Sequence, residues 1–106
     1  MNGLEKKDMC IPKNNEEYLI IHKRLQDAGI ATYRSYEFRV SQDGDGFREY
    51  PQLSWNGSTI NGHRFRIGHI NDHYNLMSVT EFLTKAGVKG HKHTYGKGDP
   101  LKHRFI

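Results

Sequence analysis

Cysteine is nearly absent: Cys10 is the single one in 106 residues, so no disulfide can close within the chain. A chain this poor in cysteine fits a reducing compartment, and the expected location is the cytoplasm. Long apolar runs are missing as well. No stretch approaches the about 18 apolar residues that a membrane span needs. The opening MNGLEKKDM has no apolar centre of a signal peptide. No membrane partner is expected. There is no nucleotide-binding glycine loop, no zinc-finger spacing and no spelled-out Ser-His-Asp signature, and no cofactor is expected. The acidic cluster SQDGDG at 41–46 lacks the closing Glu of a calcium-binding EF-hand loop. Apolar residues are also scarce, at 35%, so the core must be small and lean on the 6 Tyr and 5 Phe.

What is present points to one domain. The clearest helix runs from Asn14 to Gly29. Asn14 with Glu17 is an Asn-headed relative of the capping box, and Glu16 and Glu17 suit the positive end of the helix dipole. Tyr18, Ile21, Leu25 and Ala28 fall at helical spacing, and Gly29 is a natural terminator. A second, short helix is predicted over Ser78 to Gly87. Ser78 and Glu81 make a full capping box, Val79, Phe82, Leu83 and Ala86 an apolar face, and Gly87 a stop.

Between the helices the pattern changes to period two. Tyr36, Phe38 and Val40 alternate with Glu37 and Arg39. Leu53 and Trp55 alternate with polar residues, and Phe65 and Ile67 with Arg64 and Arg66. Asn56-Gly57 and Asn61-Gly62 are dipeptides that suit tight hairpin turns. Pro51 marks an edge strand or a strand start. The expected architecture is α+β: a two-layer sandwich with a three- to four-stranded antiparallel sheet. The N-terminal helix and the short second helix cover one face, and the other face is left to solvent or a partner. Residues 1–13 read as a flexible lead and 14–88 as the domain. Residues 89–106 read as a basic Gly/His/Lys-rich tail, with a last strand as an option at 101–106.

The net charge of +4 favours an anionic partner. On the expected open face, Arg39, Arg64 and Arg66 would hold phosphate, with Tyr33, Tyr50 and Tyr74 close by in sequence. Lys89, Lys92, Lys97, Lys102 and Arg104 in the tail would add to it. The leading expectation is a small basic nucleic-acid-binding protein, for RNA or DNA, that binds rather than catalyses. A rival is a protein-interaction module, an inhibitor or adaptor of a larger protein such as those of mobile elements, with a homodimer in the same class. A second rival is a metal-independent ribonuclease using His63, His69, Arg64 and Arg66 as acid, base and charge stabilisers. Histidine is plentiful, with 7 in the chain. The close pairs His69 with His73 and His91 with His93 are the weak candidates for metal ligation, although no four-ligand set is visible.

The order helix, three strands, helix resembles that of double-stranded-RNA-binding domains. Ser78-Val79-Thr80-Glu81 stands where those domains carry a basic Lys-Lys-x-x-Lys opening. The run from Trp55 to Leu83 is also similar in layout to the three-stranded arm-binding domains of tyrosine recombinases.

Overall fold

A computed structural model describes residues 2–34, 49–66, 74–95, 99 and 101; at 15, 33, 34, 49, 50 and 63–66 it describes the backbone. The elements are β1 (Asp8–Cys10), α1 (Asn15–Asp27), β2 (Thr32–Arg34), β3 (Glu49–Trp55), β4 (Ile60–Arg66), β5 (Asn75–Leu76) and α2 (Val79–Ala86). Among the described residues this is a small α+β fold with two helices and one mixed sheet, ordered β2-β4-β3-β1-β5. None of the helices described is long and apolar enough to cross a membrane.

Both helices form where the caps predict. The Asn14 side chain accepts from the Glu17 N–H at 2.8 Å, and Glu17 Oε1 accepts from the Lys13 N–H at 3.0 Å. Ser78 Oγ accepts from the Glu81 N–H at 3.0 Å. At the far end of α2, Gly87 takes the left-handed conformation, φ 80°, that a side chain disfavours. The expected stripes bury except at Ala28, which is exposed: Tyr18, Ile21 and Leu25 from α1 share one core with Val79, Phe82, Leu83 and Ala86 from α2.

The sheet is mixed, not purely antiparallel. β3 pairs antiparallel with β1 and β4, while β2 runs parallel to β4 and β5 parallel to β1. The physical reason lies in residues 8–10. The lead, expected to be flexible over 1–13, supplies an internal strand between β3 and β5 whose residues are all buried. With a strand before it, α1 becomes a crossover that returns the chain to the same end of the sheet, so β1 and β2 point the same way. Three residues are too few to display a period, and the strand opens on a charged residue, Asp8, after two lysines.

Two glycine positions depart from the expected turns. Trp55 pairs directly with Ile60, so residues 56–59 form a four-residue loop in place of a two-residue turn. Asn56 Oδ1 closes it by accepting from the N–H groups of Ser58 and Thr59, each at 2.8 Å. Asn61-Gly62 lies inside β4, not in a turn. Gly62 is needed for close approach: a Cβ there would overlap the Tyr18 hydroxyl and stand 2.8 Å from its ring carbon Cζ.

The register sorts the faces. Cys10, Leu53 and Gly62 align across three strands, and Cys10, Leu53 and Ile60 belong to the core beneath the helices. Met9, Gln52 and Ser54 have the opposite parity, yet they too are buried. The second sheet face, expected to be open, is therefore closed at these three positions. Gln52 keeps both side-chain polar atoms buried, with no hydrogen-bond partner among the described residues. The predicted strand residues Tyr36, Phe38 and Val40, and Ile67, lie outside the described residues.

Candidate functional site

The densest polar chemistry gathers at the N-terminal end of α1. The capping box fixes Glu17 there with one oxygen, Oε1, turned back to the Lys13 N–H. The other oxygen, Oε2, is left facing the segment that follows α2. That segment has no regular structure, and it lays His91 and His93 against Glu17. His93 Nδ1 stands 2.6 Å from Glu17 Oε2, and His91 Nε2 stands 3.4 Å from the same oxygen. On its other side, His93 Nε2 stands 2.6 Å from Asp99 Oδ2. Asp99 is held in turn, its Oδ1 accepting from the Leu101 N–H at 2.9 Å. Tyr95 packs edge-on to the His93 ring, with centroids 4.4 Å apart.

The cluster is almost dry. Side-chain exposures are 0% for His93, 1% for Asp99, 6% for Glu17 and 8% for His91. Burying two carboxylates is costly unless cations and donors meet them. Here a histidine bridges both. Burial pushes the thiol of nearby Cys10 well above its ordinary range, and the Glu17 charge adds to it. Cys10 is thus a protonated core residue, not a poised nucleophile. Burial also raises the Tyr95 hydroxyl. Glu17 Oε2, His91 and His93 each offer one ligand atom, and these atoms lie within 4.8 Å of one another.

A second feature opens at the other end of β1. Residues 5–8 form a tight turn closed by the Asp8 N–H donating to the Glu5 carbonyl at 2.9 Å. Lys6 and Lys7 occupy its centre, both exposed, and Lys7 adopts φ 79°, a left-handed conformation rare outside glycine. The turn is locked on both sides: the Lys7 N–H donates to the Trp55 carbonyl, and the Lys7 carbonyl accepts from the Asn75 N–H. Beside it lies a groove of about 280 Å³ lined by Lys6, Lys7, Trp55, Asn56, Asn61 and Tyr74, with Ser54 at its floor.

The predicted site residues fall into four groups. Arg39, His69, His73, Lys97, Lys102 and Arg104 lie outside the described residues. His63, Arg64 and Arg66 sit in β4 opposite Gln52, Pro51 and Glu49, and the two arginines hold the strand parity of Gly62 and Ile60. Lys89 and Lys92 are exposed in the segment after α2, and the Lys89 carbonyl accepts from Arg24 Nη1 at 3.2 Å. Among the described residues, only His91 and His93 are brought together. That part of the expected basic tail is not a free arm, since His93, Asp99 and Leu101 are all buried side chains. Sequence reasoning saw Glu17 only as a cap and gave Asp99, Lys6 and Lys7 no role. The His-x-His spacing was the one available signal. No protein-family model, curated protein or solved structure matches this chain.

Proposed function

We propose that this is a small nucleic-acid-binding protein, a two-layer α+β domain whose contact surface includes the groove between the Lys6-Lys7 turn and Trp55. The observation that carries this reading is the pairing of two exposed lysines on a strained, doubly hydrogen-bonded turn with two half-buried aromatic residues, Tyr74 and Trp55, the latter packed in part against the core. Lysine ammonium groups meet phosphate, and aromatic planes offer stacking surfaces for unpaired bases. Asn56 and Asn61 add amide donors and acceptors at the rim. A backbone strained at one non-glycine residue is a common mark of a functional position. The net charge of +4 supplies attraction at longer range. In this reading Arg39, Lys89, Lys92, Lys97, Lys102 and Arg104 extend the phosphate contacts beyond the groove, while Arg64 and Arg66, on the strand parity of Ile60 and Gly62, do not share the parity of Asn61 in the groove.

The test is fluorescence anisotropy with labelled single- and double-stranded RNA and DNA at two salt concentrations. The variant is Lys6→Ala with Lys7→Gly, because glycine accepts the left-handed turn. Wild type should bind with an affinity that falls with salt. The double variant should bind more weakly and with a shallower salt slope, by roughly 0.7 to 0.9 for each phosphate that is no longer neutralised. Quenching of Trp55, the single tryptophan, should accompany binding. Absence of binding at low salt, or equal binding by the double variant, overturns the groove. In the first case a protein partner becomes the better reading, with Leu19 and Ile20, 47% and 44% exposed on α1, as its apolar anchors.

A further inference from the structure

We infer that Glu17, His91 and His93 form a binding site for a zinc-type divalent cation, with Asp99 as the outer carboxylate that orients His93. The hydrogen bonds around His93 are in conflict. A neutral imidazole has one N–H and one lone pair. If His93 donates Nε2–H to Asp99, its Nδ1 lone pair points at the Glu17 carboxylate 2.6 Å away. Two acceptors cannot face each other at that distance. A proton, carried by either partner, or a metal ion must lie between them.

A divalent ion would also meet the charge of the two carboxylates. With one bridging proton and His91 neutral, the buried group carries a net charge of −1 among side chains at most 8% exposed. With a divalent ion and neutral histidines the net charge is zero, which removes the cost of burying an uncompensated charge. Zinc binding then displaces the bridging proton: Nδ1 gives its lone pair to the ion, Glu17 Oε2 becomes a ligand, and about one proton leaves per ion bound.

The donor set suits zinc. Imidazole nitrogen and carboxylate oxygen are its ordinary ligands, at about 2.0–2.2 Å, so two ligands at tetrahedral angles stand roughly 3.3 Å apart. His91 Nε2 and Glu17 Oε2 are already at 3.4 Å. The 2.6 Å between His93 Nδ1 and Glu17 Oε2 is a hydrogen-bond distance that the ion would open by less than an ångström. The outer shell is built as well. Metal-bound histidines commonly donate their second N–H to a carboxylate, as His93 can to Asp99. Glu17 is held through its other oxygen by the Lys13 N–H. Three protein ligands leave a fourth position for water, reached from the His91 side, the most exposed of the three ligands.

The test uses the full chain stripped with a chelator, then titrated with zinc chloride against a chromophoric chelator, with cobalt as a visible-absorbing substitute. Wild type should take up one ion per chain, with release of about one proton and a rise in thermal midpoint. Asp99→Asn should weaken uptake by about ten- to a hundredfold. His91→Ala, at the rim, and Glu17→Gln, which keeps the shape and the cap, should weaken it at least as much, with circular dichroism reporting whether each is folded. The site is refuted if wild type stays metal-free. It is equally refuted if a folded His91→Ala or Glu17→Gln variant binds as tightly as wild type, since the ion would then sit elsewhere.

Discussion

Gly62 is the residue whose role changes most between sequence and structure. Beside Asn61 it looks like half of a hairpin turn, but it lies in mid-strand beneath Tyr18, where no Cβ fits. The cost of a methyl group at this position is a packing cost, because β4 and α1 would have to separate. Gly62→Ala should destabilise the fold by about 1–3 kcal/mol, the usual range for overpacking a core. Urea denaturation measures it, and a change within error would mean that Tyr18 swings aside freely. The glycine was legible in the sequence, but its reason was not. A turn glycine and a close-approach glycine look the same until the residue packed over it is known.

Secondary-structure elements were most readable where they carry their own punctuation. The two caps and the Gly87 stop located the helices to within a residue or two. β1 carries none, and tertiary contacts hold it in place. Asp8 is its tie to α2: its carboxylate takes Lys85 Nζ at 2.6 Å, Asn75 Nδ2 at 2.8 Å and the Glu5 N–H at 2.9 Å. Burial alone would raise the Asp8 carboxyl, but the Lys85 contact and the other donors outweigh it and leave it below its usual value. A carboxylate held low in the folded state adds stability above its unfolded value, near 3.8. That contribution is lost as pH falls through the lower folded value. Acid titration of the unfolding free energy should therefore show a loss starting below about pH 4 that is smaller in Asp8→Asn. Identical acid profiles would place the tie elsewhere. Lys85 is held above its usual value, first by its bond to Asp8, so its share is present below its unfolded value, 10.5, and fades as pH rises through the folded one.

For the molecule as a whole, the question is whether the C-terminal segment belongs to the fold. Composition alone marks residues 89–106 as a basic tail, because Gly, Lys and His carry no periodic signal. Yet His93 and Asp99 close over the start of α1, and Leu101 is 7% exposed. A segment that merely rests on the surface would tolerate truncation of its one buried leucine. If it closes the domain, Leu101→Ala should cost about 2 kcal/mol or more and lower the thermal midpoint by several degrees. An unchanged midpoint would return the segment to the status of an appendage.

The sequence by itself determined the local units, two capped helices and the β3–β4 pairing region, and the α+β class of the fold. Helix caps and strand alternation act between residues a few positions apart, so they are written where they act. Only the tertiary structure decided that the lead contributes an inner strand, that the sheet is mixed, and that the second face is buried at Met9, Gln52 and Ser54. It alone brought Glu17 to His93, 76 positions away. Contacts at that separation follow from how the elements pack over one core, and no local pattern encodes them.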